Sequence, residues 1–133
     1  MTALTDAVKD EIQTAYRTWL AARDFKPRRG QRQMIAQIAR SLSADEDRIA
    51  VVEAGTGTGK TAAYCLAAIP LAQSLNKTIV LSTATVALQE QVILQDLPDI
   101  QERAGLKFSL TLAKGRGRYL CLKRLDDHLK YTD

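Results

Sequence analysis

The sequence predicts an α/β fold in which helices flank a small parallel sheet. Helical patterns separate three short apolar runs that have the composition of buried strands: residues 49–52, 78–82 and 107–113. Strands that alternate with helices favour a parallel sheet with right-handed crossovers. The length of 133 residues suggests one domain. We divide it into N-terminal helices, an α/β core and a basic segment: residues 1–48, 49–113 and 114–133.

Two helices are predicted before the first strand, over residues 5–22 with Thr5 as the cap and over residues 31–42. A third should run from Lys60 to about Leu75. Pro70 is expected to kink this helix or end its first half, because proline lacks a backbone donor. Later helical patterns follow the second and third strands: residues 86–94 and 119–130.

Residues 49–61, IAVVEAGTGTGKT, are the centre of the predicted fold. The glycines let the backbone turn so that its amides converge on an anion, and the next helix adds partial positive charge there. Lys60 would reach the β- and γ-phosphates, and Thr61 would offer its hydroxyl to Mg²⁺, which gives both a catalytic role. The alternative is a glycine turn that happens to carry Lys-Thr. We predict a phosphate-binding P-loop with these members: Ala54, Gly55, Thr56, Gly57, Thr58, Gly59, Lys60 and Thr61.

Positive charge is clustered in two segments, although the net charge of the chain is only +4. Basic residues outnumber acidic ones in residues 23–32 and again in residues 114–130. Clustered positive charge suits polyanions such as nucleic acid, and two solvated faces are the alternative.

The two cysteines, Cys65 and Cys121, lie far apart and give no disulfide framework, which fits a reduced compartment. The N-terminus has no basic segment followed by an apolar core, as a signal peptide would. The longest mostly apolar stretch, residues 61–75, is interrupted by Pro70 and is too short to span a bilayer. We therefore expect a cytoplasmic protein with no membrane partner.

Four stretches together resemble one family. AGTGTGKT is similar to the AxxGxGKT loop of superfamily 2 helicases, and PRRGQRQMI resembles the glutamine motif of DinG- and XPD-type helicases. LSTATVALQEQ resembles their motif Ia, and AKGRGRYLC resembles the segment with the first iron–sulfur cysteine. The chain thus resembles the N-terminal part of a DinG-type, XPD-like, iron–sulfur DNA helicase, from residue 1 to about residue 124. This implies an incomplete first motor domain with a RecA-like P-loop sheet.

The resemblance also implies roles for single residues. Gln31 would contact the adenine edge with Arg28 nearby, although a surface glutamine on a helix is the alternative. The P-loop would hold ATP and Mg²⁺, and Cys121 would be a cluster ligand. Thr85 could also cap the next helix, which is compatible with DNA contact. The residues implied to contact single-stranded DNA are Ser82, Thr83, Thr85, Arg116 and Arg118.

Several parts of the family pattern are absent from this sequence. A Fe₄S₄ cluster takes four thiolates, and only Cys121 stands in the expected context, so we expect no cluster within this chain. The acidic Walker B motif and the arginine finger that hydrolysis needs are also absent. Asp126-Asp127-His128 superficially imitates an Asp-Glu-x-His box, but it follows a basic segment and not an apolar strand, and we reject it.

A full family member would couple ATP hydrolysis to 5′-to-3′ unwinding in DNA repair, and this chain would carry its ATP-binding motifs and part of its DNA-binding motifs. Whether the chain is itself an enzyme is left open. The alternative is a truncated, stand-alone module that binds DNA or a helicase partner as an inhibitor or regulator. An exposed edge of the small sheet would recruit that protein partner.

Overall fold

The first helix, α1, spans Asp6–Ala22 in the computed structural model, which describes residues 3–131. Residues 1, 2, 132 and 133, at the outer ends of two predicted segments, lie outside the described residues. The Thr5 hydroxyl accepts a hydrogen bond from the Val8 amide at 3.3 Å, so the predicted cap is confirmed. The buried side of α1 follows the helical spacing of its apolar residues: Val8, Ile12, Ala15, Tyr16, Trp19 and Leu20.

Helices α2 (Arg29–Ser43) and α3 (Lys60–Ser74) form the centre of the core. Helix α2 buries Met34, Ile35 and Ile38 as its periodicity predicts. Helix α3 packs against α1, α2 and the later helix α5, which explains why so many of its side chains are apolar. It continues through Pro70 to Ser74, so this proline does not end the helix.

A helical run follows the second apolar segment. Helix α4 (Val86–Gln91) continues through a π-helical turn (Val92–Asp96) into α5 (Leu97–Arg103). The run extends beyond the predicted end at residue 94, because Pro98 lies in the first turn of α5, where a missing backbone donor is tolerated. A 3₁₀ turn (Arg116–Arg118) then precedes α6 (Leu122–Tyr131), which buries none of its described side chains.

The predicted parallel sheet is wrong for the described residues. Residues 3–131 contain no β-strand, and the three segments predicted as strands, residues 49–52, 78–82 and 107–113, have no ladder of backbone hydrogen bonds. An open cleft of about 840 Å³ lies against α3, and residues 77–83 and 108–113 contribute to its lining.

One-sided packing explains why these segments do not form a sheet. Val52 and Ile79 pack against the helical core, whereas Ile49, Val51 and Val80 are 79%, 94% and 87% exposed. A parallel sheet is stable when both of its faces are covered, and here helices cover one face only. The described chain is therefore a helical layer with extended segments on one side. Within residues 3–131, no helix combines the length and apolarity needed to cross a membrane.

Candidate nucleotide-binding loop

The glycine-rich loop adopts the sharp turn that its sequence predicts. Gly57 and Gly59 have φ values of 79° and 77°, in the left-handed region that side chains other than glycine rarely adopt. The Thr58 hydroxyl donates to the Gly55 carbonyl at 2.6 Å and stabilises the turn before α3. The Gly59 carbonyl accepts from the Ala63 amide at 3.0 Å, which joins the loop directly to the helix.

The Lys60 side chain folds back over this loop. Its Nζ donates to the Ala54 carbonyl at 2.8 Å. The side chain therefore connects the end of the loop, at Lys60, to its start, at Ala54. The side chain is exposed, and the group that accepts this hydrogen bond is a neutral carbonyl. A phosphate above the loop could therefore attract the ammonium group away from a partner that carries no charge.

The N-terminus of α3 leaves backbone donors available. Gly59 is the N-cap, and within the described residues no side chain caps this helix, whereas Thr5 caps α1 and Thr85 caps α4. The first amides of an α-helix have no partner within the helix and carry partial positive charge. No atom lies within 4 Å of a Cβ built at Gly55 or Gly57, so the loop faces open space. These features fit a phosphate group.

Two side chains from the start of α2 hold the two left-handed glycines. Arg28 donates from Nη1 to the Gly57 carbonyl, and Gln31 donates from Nε2 to the Gly59 carbonyl at 3.2 Å. Gln31 is only 3% exposed, and its Oε1 accepts from the Tyr16 hydroxyl at 3.0 Å. Contact between Gln31 and adenine would therefore require its amide to turn away from the loop or from Tyr16.

Thr61 lies in the first turn of α3, half-buried beside the loop. Burial raises the pKa of the Tyr64 hydroxyl on the same helix, and hydrogen bonding to Thr61 opposes that shift. Because Mg²⁺ binds oxygen ligands, the Thr61 hydroxyl has the chemistry and the position to serve as one of them.

Three of the residues predicted to contact DNA have hydrogen bonds at α4: Thr83, Thr85 and Arg118. The Thr85 hydroxyl caps α4 by accepting from the Leu88 amide at 3.2 Å, and the Thr83 hydroxyl donates to the Thr85 carbonyl at 3.3 Å. Arg118 donates to Gln89 on the same helix and lies 4.0 Å from the Glu90 carboxylate. Ser82 and Arg116 are exposed next to these residues in the sequence. The structure thus brings the 3₁₀ turn beside the helix that follows the Ser-Thr segment.

The family follows from comparison of the whole sequence. A family model described as DEAD/DEAH box helicase matches residues 28–130. The chain belongs to the DEAD/DEAH box helicase family. The match begins at Arg28 and includes the loop, α4 and most of α6, so the loop residues and the residues predicted to contact DNA lie inside the matched region.

Relatives named ATP-dependent DNA helicase DinG confirm the predicted resemblance. Those of Salmonella typhimurium and Escherichia coli (strain K12) are 46% identical over 125 residues, which cover 92% of this chain and 17% of each relative. The relative from Photobacterium profundum is 44% identical over 127 residues, which cover 92% of this chain and 18% of the relative. The chain therefore spans less than a fifth of the length of these helicases.

The two cysteines of the chain do not form a cluster site. Cys65 is buried in the core, where burial raises the pKa of its thiol to about 12, and Cys121 is exposed just before α6. Among residues 3–131, no three His, Cys, Asp or Glu side chains converge as metal ligands. The residues present therefore do not fit an iron–sulfur cluster, which takes four thiolates.

Sequence reasoning missed two partners of the helicase motifs. The helical spacing of Tyr16 indicates core packing, but its hydroxyl also bonds the glutamine of the glutamine motif. The Glu90 carboxylate faces Arg118, and nothing in the local sequence links it to a turn 28 residues later. Gln89 also donates to the Ala113 carbonyl at 3.3 Å.

Proposed function

We propose that this chain binds ATP and Mg²⁺ as the nucleotide-binding part of a DinG-type DNA helicase. The uncapped N-terminus of α3 carries the proposal, because its free amides and the Lys60 ammonium group lie on the same loop. The relatives, whose name describes an ATP-dependent DNA helicase, support the choice of ATP.

Each loop residue has a separate task in the proposed complex. The backbone from Ala54 to Gly59 would surround the phosphates, and Lys60 would leave the Ala54 carbonyl to reach the β- and γ-phosphates. Thr61 would ligate Mg²⁺, which neutralises charge on the phosphates when it is bound. Arg28 and Gln31 would keep the loop in its phosphate-binding shape from α2, through the glycine carbonyls to which they donate.

Single-stranded DNA is the proposed second ligand. Ser82, Thr83 and Thr85 offer hydroxyls and loop amides, and Arg116 and Arg118 offer positive charge on the neighbouring turn. Such groups make contacts to phosphates that do not depend on base sequence. In a full-length helicase, these residues would contact the DNA strand along which the enzyme moves 5′ to 3′ while it hydrolyses ATP.

A titration with a fluorescent ATP analogue and Mg²⁺ tests the nucleotide proposal. Wild type should bind saturably, and Lys60→Ala should bind at least about tenfold more weakly because it loses a charge-assisted contact to phosphate. Lys77→Ala is the matched control, because Lys77 is an exposed lysine outside the loop. Equal binding by wild type and Lys60→Ala would reject the proposed site.

A salt titration tests the DNA proposal. The affinity for single-stranded DNA should fall as salt rises, since phosphate contacts release counterions. Arg116→Ala should weaken binding and reduce the salt slope. Arg17→Ala, which removes an exposed positive charge on α1, is a control for the change in net charge. A flat salt response would show that the basic segment is only a solvated face.

A regulatory binding module is the second candidate function. Val51 and Val80 are 94% and 87% exposed, and such apolar side chains favour association with another chain. ATP turnover with and without single-stranded DNA distinguishes the two candidates. Turnover that DNA stimulates and Lys60→Ala abolishes would support the enzyme. Binding of DNA or a helicase partner without turnover would support the module, and we expect turnover by this chain to be very slow.

A further inference from the structure

We propose that Tyr16 is a positioning residue for the phosphate loop and that it acts through Gln31. The inference deepens the proposed nucleotide site and rests on it for its functional consequence. Three elements take part: α1 supplies Tyr16, α2 supplies Gln31, and the loop supplies the Gly59 carbonyl. The chain of contacts runs from the Tyr16 hydroxyl through the Gln31 amide to Gly59, with distances of 3.0 Å and 3.2 Å.

The two contacts define the orientation of the Gln31 amide. The Gly59 carbonyl can only accept a hydrogen bond, so the amide must present its NH₂ group there. The Tyr16 hydroxyl can donate, and it donates to the oxygen at the other end of the amide. If the amide turned over, two oxygens would face each other at Gly59. The Gly59 carbonyl therefore sets this orientation, and the Tyr16 hydroxyl supplies the donor that the buried amide oxygen then requires.

Burial increases the cost of losing the hydrogen bond between Tyr16 and Gln31. Tyr16 is 8% exposed and Gln31 is 3% exposed, so water has little access to replace either partner. A buried acceptor that loses its donor keeps its full desolvation cost. Loss of the Tyr16 hydroxyl would therefore shift the Gln31 amide toward other orientations and release Gly59.

The close fit at Gly59 shows how tightly the loop depends on this amide. A Cβ built at Gly59 would lie 2.4 Å from the Gln31 Nε2 atom, so glycine at this position permits the approach. The same Gly59 carbonyl accepts from the Ala63 amide. Movement of Gln31 would therefore reach the first turn of α3, where the proposed phosphate donors lie.

Contacts with two other helices hold α1, the helix that carries Tyr16, in place. Trp19, one turn further along α1, donates to the Asp99 carboxylate of α5 at 2.8 Å. Helix α1 also packs against α3. The hydroxyl of Tyr16 is thus presented by a helix that is anchored at both α3 and α5.

The test compares Tyr16→Phe with Trp19→Phe in the 133-residue chain without nucleotide. Tyr16→Phe removes only the hydroxyl, whereas Trp19→Phe breaks a part-buried hydrogen bond on the same helix but away from Gln31. We expect exchange of the Ala63 amide, measured by NMR and corrected for global stability, to rise by roughly tenfold in Tyr16→Phe alone. Equal rises in both variants, or none in Tyr16→Phe, would overturn the proposal.

A double-mutant cycle tests whether Tyr16 acts through Gln31. Gln31→Met keeps a side chain of similar length and removes both hydrogen bonds. Adding Tyr16→Phe to Gln31→Met should change Ala63 exchange no further, because the route to the loop is already lost. Additive effects of the two substitutions would show independent roles and would contradict the proposal.

Binding of Mg²⁺ and the fluorescent ATP analogue gives a separate readout. Tyr16→Phe should weaken binding roughly tenfold, and Trp19→Phe should leave it within about twofold once stability is matched. If wild type binds no nucleotide but Tyr16→Phe still loosens the loop, the positioning role stands and the proposed function fails. If wild type binds and both Tyr16→Phe readouts stay at wild-type values, the positioning role fails alone.

Discussion

The helical part of the molecule and its extended segments carry similar apolar sequences but are packed very differently. In α3, Leu66 is fully buried between neighbouring helices. In the extended segments, Val51 and Val80 are almost fully exposed although their neighbours touch the core. Apolar composition alone therefore does not determine burial, which depends on whether another element covers each face.

The phosphate loop lies at the boundary between these two regions. On the helical side, Arg28 and Gln31 each hold one of its glycine carbonyls. On the other side, the segment 49–52 enters the loop without a partner strand in the part of the chain that the structure describes. The loop is thus positioned by helices, and we expect substitutions in the helices to disturb it more than substitutions in the extended segments.

The largest expected effect comes from a pair of core and surface substitutions. Leu66→Ala should lower the free energy of unfolding by about 2–5 kcal/mol, because it leaves a cavity in the core. Val80→Ala should change it by less than about 0.5 kcal/mol, because this side chain is already exposed. Urea unfolding followed by circular dichroism measures both. A loss above about 1.5 kcal/mol for Val80→Ala would show that the segment is packed in solution.

A series of glycine substitutions tests the phosphate loop, which lies between the helices and the extended segments. Gly59→Ala should cost about 2–3 kcal/mol, since it combines a left-handed backbone with displacement of the Gln31 amide. Gly57→Ala should cost about 1–2 kcal/mol, because a Cβ there meets open space. Gly55→Ala is the control, because Gly55 has no positive φ and a Cβ built there has no atom within 4 Å. Equal unfolding free energies for all three variants would contradict the described loop.

The Asp99 cluster joins α1 to α5 within the helical part. Asp99 accepts from Trp19 and pairs with Arg23 and Arg103, each at 2.8 Å. Asp99→Ala should lower the unfolding free energy by about 1–2 kcal/mol, because it leaves the buried Trp19 N–H without a partner. Asp126→Ala is the control, since its pair with Lys130 is exposed on α6. In thermal unfolding, the Tm of Asp99→Ala should be clearly lower than the Tm of Asp126→Ala.

The two thiols should differ clearly in reactivity, with no effect on the unfolding free energy at neutral pH. A thiol reagent at pH 8 should modify exposed Cys121 and should reach Cys65 only after unfolding. Burial raises the folded-state pKa of Cys65 from 9.0 to about 12, so its contribution to stability is present below pH 9 and is lost as pH rises toward 12. Rapid reaction of both thiols in the folded chain would contradict the burial of α3.

The sequence predicted the helical part well because its signals are local. Thr5, the spacing of apolar residues in α1, and the Gly-Lys-Thr step before α3 each act within a few residues. The loop residues and their helix could be recognised in the same way. The resemblance of the motifs to DinG-type helicases was also readable, because each motif is a contiguous stretch.

The sheet and the support of the loop could not be predicted from the same signals. The run 78–82 has strand composition, but a strand also needs a paired neighbour, and composition does not provide one. The bond from Tyr16 to Gln31 spans 15 residues and two helices, and it depends on how those helices pack. Tertiary packing therefore determined both outcomes.

Amide hydrogen exchange of the wild-type chain, followed by mass spectrometry, tests most directly whether helices alone position the loop. Peptides from α1, α2 and α3 should be protected for much longer than peptides from residues 78–82 and 107–113, whose backbones have no ladder. Protection of those extended segments equal to that of α3 would show a paired sheet in solution and would contradict this account.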